Sequence, residues 1–301
     1  MQKNLFLWRL SRIYVWLFPF TAALVLALRF GVPVAYSVVA IDLVLLCGAV
    51  WVLAAKVAKT GTPQQRTVLT AGVLLVAIVG IISLIFPLGP PPRDPAGYLA
   101  TRVEQEFRYT ILMIAALVAF GGFTILAGVL REAGDRIFSQ LGLAAIILST
   151  VLFVVSAPLV YVNVEMLQQK ISLGKTPDWY NLTRIYFQPL FVLGGLLTYA
   201  ATAAYAAALG WVGWFKKLSS RLLAGTSVAA AVLVSVSPLS GKIGAPGFIL
   251  LIPALPYLMP YFIGVLLVTR AGRLAVGPET AGETTALNPH PSANPRTTQR
   301  N

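Results

Sequence analysis

Apolar residues run along this chain in long stretches, separated by short segments that contain charged residues, proline and glycine. A helix rises 1.5 Å per residue, so about 20 apolar residues cross the roughly 30 Å hydrocarbon layer of a bilayer. The pattern therefore predicts an all-α polytopic membrane protein with about eight transmembrane helices. The predicted spans are residues 13–30, 34–55, 67–88, 110–130, 141–162, 188–210, 222–238 and 246–269.

The composition favours the same class of protein. Of the 301 residues, 57% are hydrophobic and 11% are charged, whereas a soluble domain usually carries about 25% charged residues. The mean hydropathy is +0.80. The lipid bilayer is therefore the expected partner, and we expect a multi-pass protein of the plasma membrane, or of the inner membrane if the source is bacterial.

The distribution of basic residues predicts the topology. With the N-terminus inside, 15 of the 23 basic residues fall on the cytoplasmic side, as the positive-inside bias requires. Both termini are thus expected in the cytoplasm. The net charge of +13 is scattered among short loops, so we expect no nucleic-acid partner. The cytoplasmic set comprises Lys3, Arg9, Arg12, Lys56, Lys59, Arg66, Arg131, Arg136, Lys216, Lys217, Arg221, Arg270, Arg273, Arg296 and Arg300.

Two rare residue types restrict the chemistry available to the chain. Cys47 is the only cysteine and His290 is the only histidine, the latter in a polar C-terminal segment. A thiolate cluster, a histidine-ligated metal and a haem site each need more of these ligands, so no metal and no cofactor are expected. The predicted outer loops contain carboxylates but no imidazole or thiol, so we expect no catalytic residues and favour a non-enzyme over a lipid-modifying enzyme.

The chain divides into two predicted regions. Residues 1–273 form the transmembrane domain. Residues 274–301 are rich in Gly, Pro, Thr, Asn and Ser and have few apolar side chains. Such a segment cannot bury enough apolar surface to offset its ordering entropy, so a disordered cytoplasmic tail is expected.

Two longer outer loops are predicted, at residues 89–109 and 163–187. Within the first, residues 98–108 show helical spacing, with Leu99, Val103 and Phe107 on one face. We expect this apolar face to lie on the membrane surface. The pairs Arg102/Glu106 and Glu104/Arg108 are spaced for ion pairing on the side that faces water. The second loop is polar and aromatic, a composition typical of interface anchors and also found in ligand-binding loops.

Asp42 is the only ionisable acid or base well inside a predicted span. A charge there costs about 2.5–3.5 kcal/mol on insertion scales, and such residues usually face the bundle interior or a cavity. Its neighbours one turn away are all apolar, so a hydrogen-bonding partner must come from another helix or from water. Asp42 is therefore the predicted group that takes up and releases a proton.

The last predicted span contains four prolines, which are expected to kink or unwind it. Asp42 and Pro253 both lie roughly 10–12 Å below the outer end of their spans. Several hydroxyl groups fall at similar depth. The hypothetical ligand- or proton-binding site thus comprises Asp42, Pro253, Pro256, Tyr257, Ser83, Ser156, Tyr199 and Ser235.

Two functions are compatible with these features. The first is a small-solute transporter or permease with a site in the outer half of the bundle. The alternative is a non-catalytic sensor or assembly module that acts through a protein partner. The spacing of Ala200, Ala204 and Ala208 allows close helix packing, either within the bundle or in a homodimer.

Overall fold

The computed structural model describes residues 2–27, 32–89, 95–173, 178–236 and 254–273. Several sequence predictions fall outside these ranges. They concern the disordered tail at 274–301, the end of the seventh predicted span and the first part of the eighth, which includes Pro253.

Eight long helices follow the order of the eight predicted spans, and they confirm the all-α prediction for the described residues. One short helix, α4, lies between the third and fourth of them. The helices are α1 (Gln2–Ala27), α2 (Val32–Thr60), α3 (Pro63–Ser83), α4 (Pro95–Ala100), α5 (Arg102–Glu132), α6 (Ile137–Leu173), α7 (Asp178–Trp211), α8 (Lys217–Val236) and α9 (Ala254–Arg270). Short 3₁₀ turns occupy Phe86–Leu88 and Ala271–Arg273.

Within the described residues, six helical segments are long and apolar enough to cross a membrane. They belong to α2, α3, α5, α6, α7 and α8, while the apolar segment of α9, Leu255–Arg270, is shorter. Many large apolar side chains are exposed on the outside of the bundle, among them Ile41 and Val44 on α2 and Val228 on α8. An exposed apolar surface of this extent is what a lipid environment requires.

Helix α3 lies at the centre of the bundle, where it packs against α5 on one side and α9 on the other. From α5 the packing continues through α6 and α7 to α8, while α1 packs mainly on α2. Two apolar clusters form the core. The larger joins α3, α5, α6, α7 and α9, and the smaller joins α1, α2, α3 and α9. Because α3 and α9 contribute to both clusters, they connect the two halves of the core.

Residues 163–187 differ from the sequence prediction of a loop. Helix α6 continues to Leu173, and α7 already begins at Asp178. At 1.5 Å per residue, the 37 residues of α6 span about 55 Å, well beyond a hydrocarbon thickness of roughly 30 Å. The prediction was wrong because low hydropathy was equated with irregular structure, although a polar segment can remain helical outside the hydrocarbon layer.

Glycines bring α3 and α9 into close contact. A Cβ on Gly264 would lie 2.7 Å from the carbonyl oxygen of Gly72, 2.8 Å from the Cβ of Leu75 and 2.9 Å from the amide nitrogen of Val76. A Cβ on Gly72 would in turn lie 2.9 Å from the Cβ of Leu267. Neither position has room for a side chain, so this crossing depends on the absence of side chains at both residues.

We expect Gly264→Ala to destabilise the protein, because the added methyl group meets backbone atoms of α3 that cannot move independently. Overpacking of this kind costs about 1–3 kcal/mol. The matched control is Gly128→Ala on α5, where a new Cβ meets nothing within 4 Å. Thermal unfolding in detergent should give a lower Tm for Gly264→Ala and an unchanged or higher Tm for the control. Equal Tm values for the two variants would contradict the packing described.

Candidate functional site

The carboxylate of Asp42 has a hydrogen-bonding partner on a neighbouring helix. The Tyr14 hydroxyl on α1 lies 2.8 Å from Asp42 Oδ1 and 3.0 Å from the Asp42 carbonyl oxygen on α2. Both side chains are half-buried. A phenol has a single proton to donate, so the carboxylate and the carbonyl compete for it or share it. The pair joins α1 to α2 at about 15 Å from the start of α2.

Apolar and aromatic side chains surround this pair. Phe18 lies one turn from Tyr14, with ring centroids 6.4 Å apart, and it stacks on Tyr261 of α9 at 6.3 Å. The Tyr261 hydroxyl donates to the carbonyl oxygen of Val15. These contacts fix the α1 backbone next to Tyr14, so they position the phenol that meets Asp42. The immediate neighbour of Asp42 on α2, Ile41, is 62% exposed, which places the carboxylate at the edge of the bundle.

Three serines of the predicted site bond within their own helices. Ser83 and Ser156 are buried and donate to the carbonyl oxygens of Gly80 and Phe153, at 2.6 and 3.0 Å. Ser235 is exposed on α8 and donates to the carbonyl oxygen of Ala231 at 2.9 Å. Each hydroxyl proton is therefore already used by the helix that carries it.

The other predicted site residues lie at different helix–helix interfaces. Pro256 and Tyr257 are buried on α9, and the Tyr257 ring lies 5.9 Å from the ring of Phe153 on α6, one turn from Ser156. Tyr199 on α7 is also buried, and it packs against α8. The structure thus brings Tyr257 and Ser156 together where α9 meets α6. Tyr199 lies between α7 and α8, and Asp42 lies between α1 and α2.

Helix α9 is continuous over its described length, so the prolines there do not unwind it. Two of the four prolines of the predicted span, Pro246 and Pro253, lie outside the described residues. Helix α9 begins at Ala254 and remains helical through Pro260. Pro256 is its third residue, where a backbone N–H would have no acceptor within the helix, so its missing donor costs little. Pro260 lies inside the helix, and the carbonyl that it leaves without a bond belongs to Pro256.

At the start of α5, Arg108 differs from the prediction that it faces water, because it is only 8% exposed, and Gln105 is fully buried. Val103 and Phe107 of the apolar face are 77% and 38% exposed, which is compatible with the predicted position of that face on the membrane surface. The Arg108 Nη2 atom donates to the carbonyl oxygen of Leu88 at 2.8 Å. Gln105 Oε1 accepts no hydrogen bond from the part of the chain that the structure describes. Helical spacing indicates which residues share a face, but it does not show that a polar residue such as Arg108 packs into the protein.

The predicted ion pair of Arg102 and Glu106 is present, with Nε and Oε1 2.8 Å apart. Arg102 also lies 3.0 Å from Glu165 and donates to Gln168 at 3.2 Å, both on α6. Sequence spacing indicated the first partner but not the other two, because they come from a segment predicted to be a loop. The cluster ties the start of α5 to the polar extension of α6.

The alanines of the predicted packing face have different surroundings. Ala200 is exposed, Ala204 is half-buried and Ala208 is fully buried. The face of α7 that packs inward includes Tyr205, whose hydroxyl donates to the carbonyl oxygen of Phe123 at 3.0 Å. Only part of the stripe therefore packs within the bundle.

Taken together, these features define a helical bundle with several helices apolar and long enough to span a membrane, and with a polar pair between α1 and α2. No protein-family model, curated protein or solved structure matches the chain. Functional arguments therefore depend on the contacts of its own residues.

We expect Tyr14→Phe to lower stability, because it removes the hydroxyl and keeps the ring. A typical hydrogen bond contributes about 0.5–1.5 kcal/mol. Asp42→Asn keeps an oxygen acceptor and should cost less than Asp42→Leu. The measurement is a double-mutant cycle by thermal unfolding, in which Tyr14→Phe should have little further effect in the Asp42→Leu background. Strictly additive effects would show that the two side chains do not interact.

Proposed function

We propose that this chain crosses the membrane eight times, with both termini in the cytoplasm, and acts as a small-solute transporter or permease. In this proposal Asp42 is the proton-binding group of a site in the outer half of the bundle. The six helical segments that could span a membrane support the coarse topology. In this proposal, α1 and the shorter α9 supply the remaining two spans.

The hydrogen bond between Tyr14 and Asp42 is the observation that carries the functional proposal. A carboxyl group at this depth is costly in either protonation state unless it is hydrogen-bonded, and Tyr14 can donate to the ionised form. The phenol oxygen can also accept from a protonated carboxyl group, since a hydroxyl is both donor and acceptor. The pair can therefore hold Asp42 in both states, as a reversible proton carrier requires.

The inward polar face of α5 supports a site in the outer half. Gln105 and Arg108 are buried at the start of α5, and Arg108 donates to the carbonyl oxygen of Leu88 in the Phe86–Leu88 turn. This turn contacts both α1 and α2, the helices that carry Tyr14 and Asp42. A buried cation at this position is compatible with a polar route from the outer side.

We expect Asp42→Asn to abolish proton movement linked to solute uptake while leaving a folded protein, because an amide does not titrate. The measurement uses proteoliposomes that contain a pH-sensitive dye, challenged with a pooled library of small solutes between pH 5 and 9. Wild type should give a solute-dependent dye signal, and Asp42→Asn should give none.

The control for loss of a carboxylate is Glu132→Gln, at the exposed end of α5, which should keep the wild-type signal. An unchanged signal in Asp42→Asn would overturn the role of Asp42. A wild type without any solute-linked signal across the library would count against the transport proposal itself.

A second candidate, an assembly module, is favoured by the outer face of α8. Gly225 and Ala229 lie one turn apart and are exposed, and a Cβ on Gly225 would meet nothing within 4 Å. Small residues at this spacing allow a second helix to approach closely. The occupant could be a second copy of this chain or another membrane protein.

We expect Gly225→Leu to disrupt assembly if this face binds another helix, because the larger side chain prevents close approach. The measurement is the mass of the protein–detergent complex extracted under mild conditions. Loss of a dimer or of a stoichiometric partner in the variant would support the assembly function. A wild type that is monomeric and without partners would exclude it.

A further inference from the structure

A cavity of about 410 Å³ lies at the end of the bundle where the start of α1, the turn between α7 and α8 and the end of α9 meet. Each of these elements contributes one cation, namely Arg12, Lys216 and Arg270. Aromatic side chains form much of the remaining wall. They are Trp8, Trp214 and Phe215.

Two of the cations are held in place by their surroundings. The Arg270 Nη1 atom donates to the carbonyl oxygen of Trp214 at 3.3 Å, and its guanidinium lies 5.6 Å from the centre of the Phe215 ring. The Arg12 guanidinium lies 5.7 Å from the centre of the Trp8 ring. Such cation–π contacts restrict the side chains, so an anion entering the cavity meets charges that are already positioned.

An apolar groove of about 510 Å³ adjoins this cavity along α1. Trp8 and Arg12 line both. The rest of the groove is lined by Arg9, Ile13, Trp16 and Leu17. Trp16 is fixed by stacking on Phe262 of α9, with ring centroids 5.3 Å apart. The groove therefore extends from the basic cavity along the outside of a helix whose exposed side chains are mainly apolar.

We propose that the cavity and groove together bind an anionic phospholipid. The phosphate group occupies the cavity among Arg12, Lys216 and Arg270, and an acyl chain lies in the groove against Ile13 and Leu17. A soluble phosphate would use only the first of these two features, whereas a phospholipid uses both. Basic pockets between transmembrane helices on the cytoplasmic side are known to bind such headgroups.

The proposed site is independent of the transport proposal. The three cations of the cavity, Arg12, Lys216 and Arg270, belong to the set of basic residues predicted to lie on the cytoplasmic side. Under the proposed topology this end of the bundle faces the cytoplasmic leaflet, where anionic lipids concentrate. Neither Asp42 nor Tyr14 lines the cavity or the groove. Failure of one proposal would thus leave the other intact.

The test titrates dioleoylphosphatidylglycerol into the purified full-length chain in detergent and follows thermal unfolding. Wild type should be stabilised, and the double variant Arg12→Gln, Lys216→Gln should bind this lipid about 25-fold more weakly, roughly five-fold for each cation removed. Both side chains are exposed, so the variant should still fold. The charge-retaining pair Arg12→Lys, Lys216→Arg should bind within a few-fold of wild type.

Three comparisons decide the outcome. The double variant Lys56→Gln, Lys59→Gln removes two exposed cations at the end of α2 and should bind the lipid with wild-type affinity. If its affinity falls as much as that of the cavity variant, the lipid responds to general surface charge and the proposed site is wrong. Phosphatidylcholine with the same chains should stabilise less. Inorganic phosphate that stabilises as well as the lipid would overturn the proposal in favour of a small-anion site.

Discussion

The absence of water in a bilayer is the constraint on which the rest of this structure depends. A backbone or hydroxyl group in hydrocarbon must find its partner within the protein, so helices are the natural solution. The buried hydroxyls of Thr150 and Thr202 follow the same rule and donate to the carbonyl oxygens four residues before them, whereas the buried Ser227 hydroxyl on α8 has no hydrogen-bond partner in the described part of the chain. Polar groups that bond across helices are consequently the exceptions, and each of them fixes one helix relative to another.

These cross-helix bonds join helices that also pack against each other. Ser149 of α6 donates to the carbonyl oxygen of Gly194 on α7 and lies 2.7 Å from the Thr198 hydroxyl. Tyr205 connects α7 to α5, and Tyr261 connects α9 to α1. At the centre, α3 and α9 are held instead by the close fit at Gly72 and Gly264. Close glycine contact thus joins α3 to α9, and tyrosine hydroxyls join α7 to α5 and α9 to α1.

The existence of the helices was predictable from sequence because each contains an apolar stretch close in length to the thickness of the hydrocarbon layer. Their full lengths were not, since α6 continues through a polar segment to Leu173. The partner of Asp42 was not, since Tyr14 is 28 residues away and no local pattern encodes which helices are neighbours. The need for a partner on another helix could be deduced, but its identity could not. The effect of Pro256 was hard to predict for a different reason, because the cost of a proline depends on its position in a helix whose start was unknown.

The charges at the two ends of the bundle are arranged differently, and this difference is compatible with an asymmetric membrane. At the start of α5, Arg102 is paired with Glu106 and Glu165, so its charge is largely neutralised by the protein. At the other end, Arg12, Lys216 and Arg270 converge on one cavity from three elements. Like charges brought together repel, and an anion between them lowers that energy. An anionic lipid bound there would stabilise the packing of α1 against α9, so the membrane itself would contribute to holding the peripheral helix that carries Tyr14.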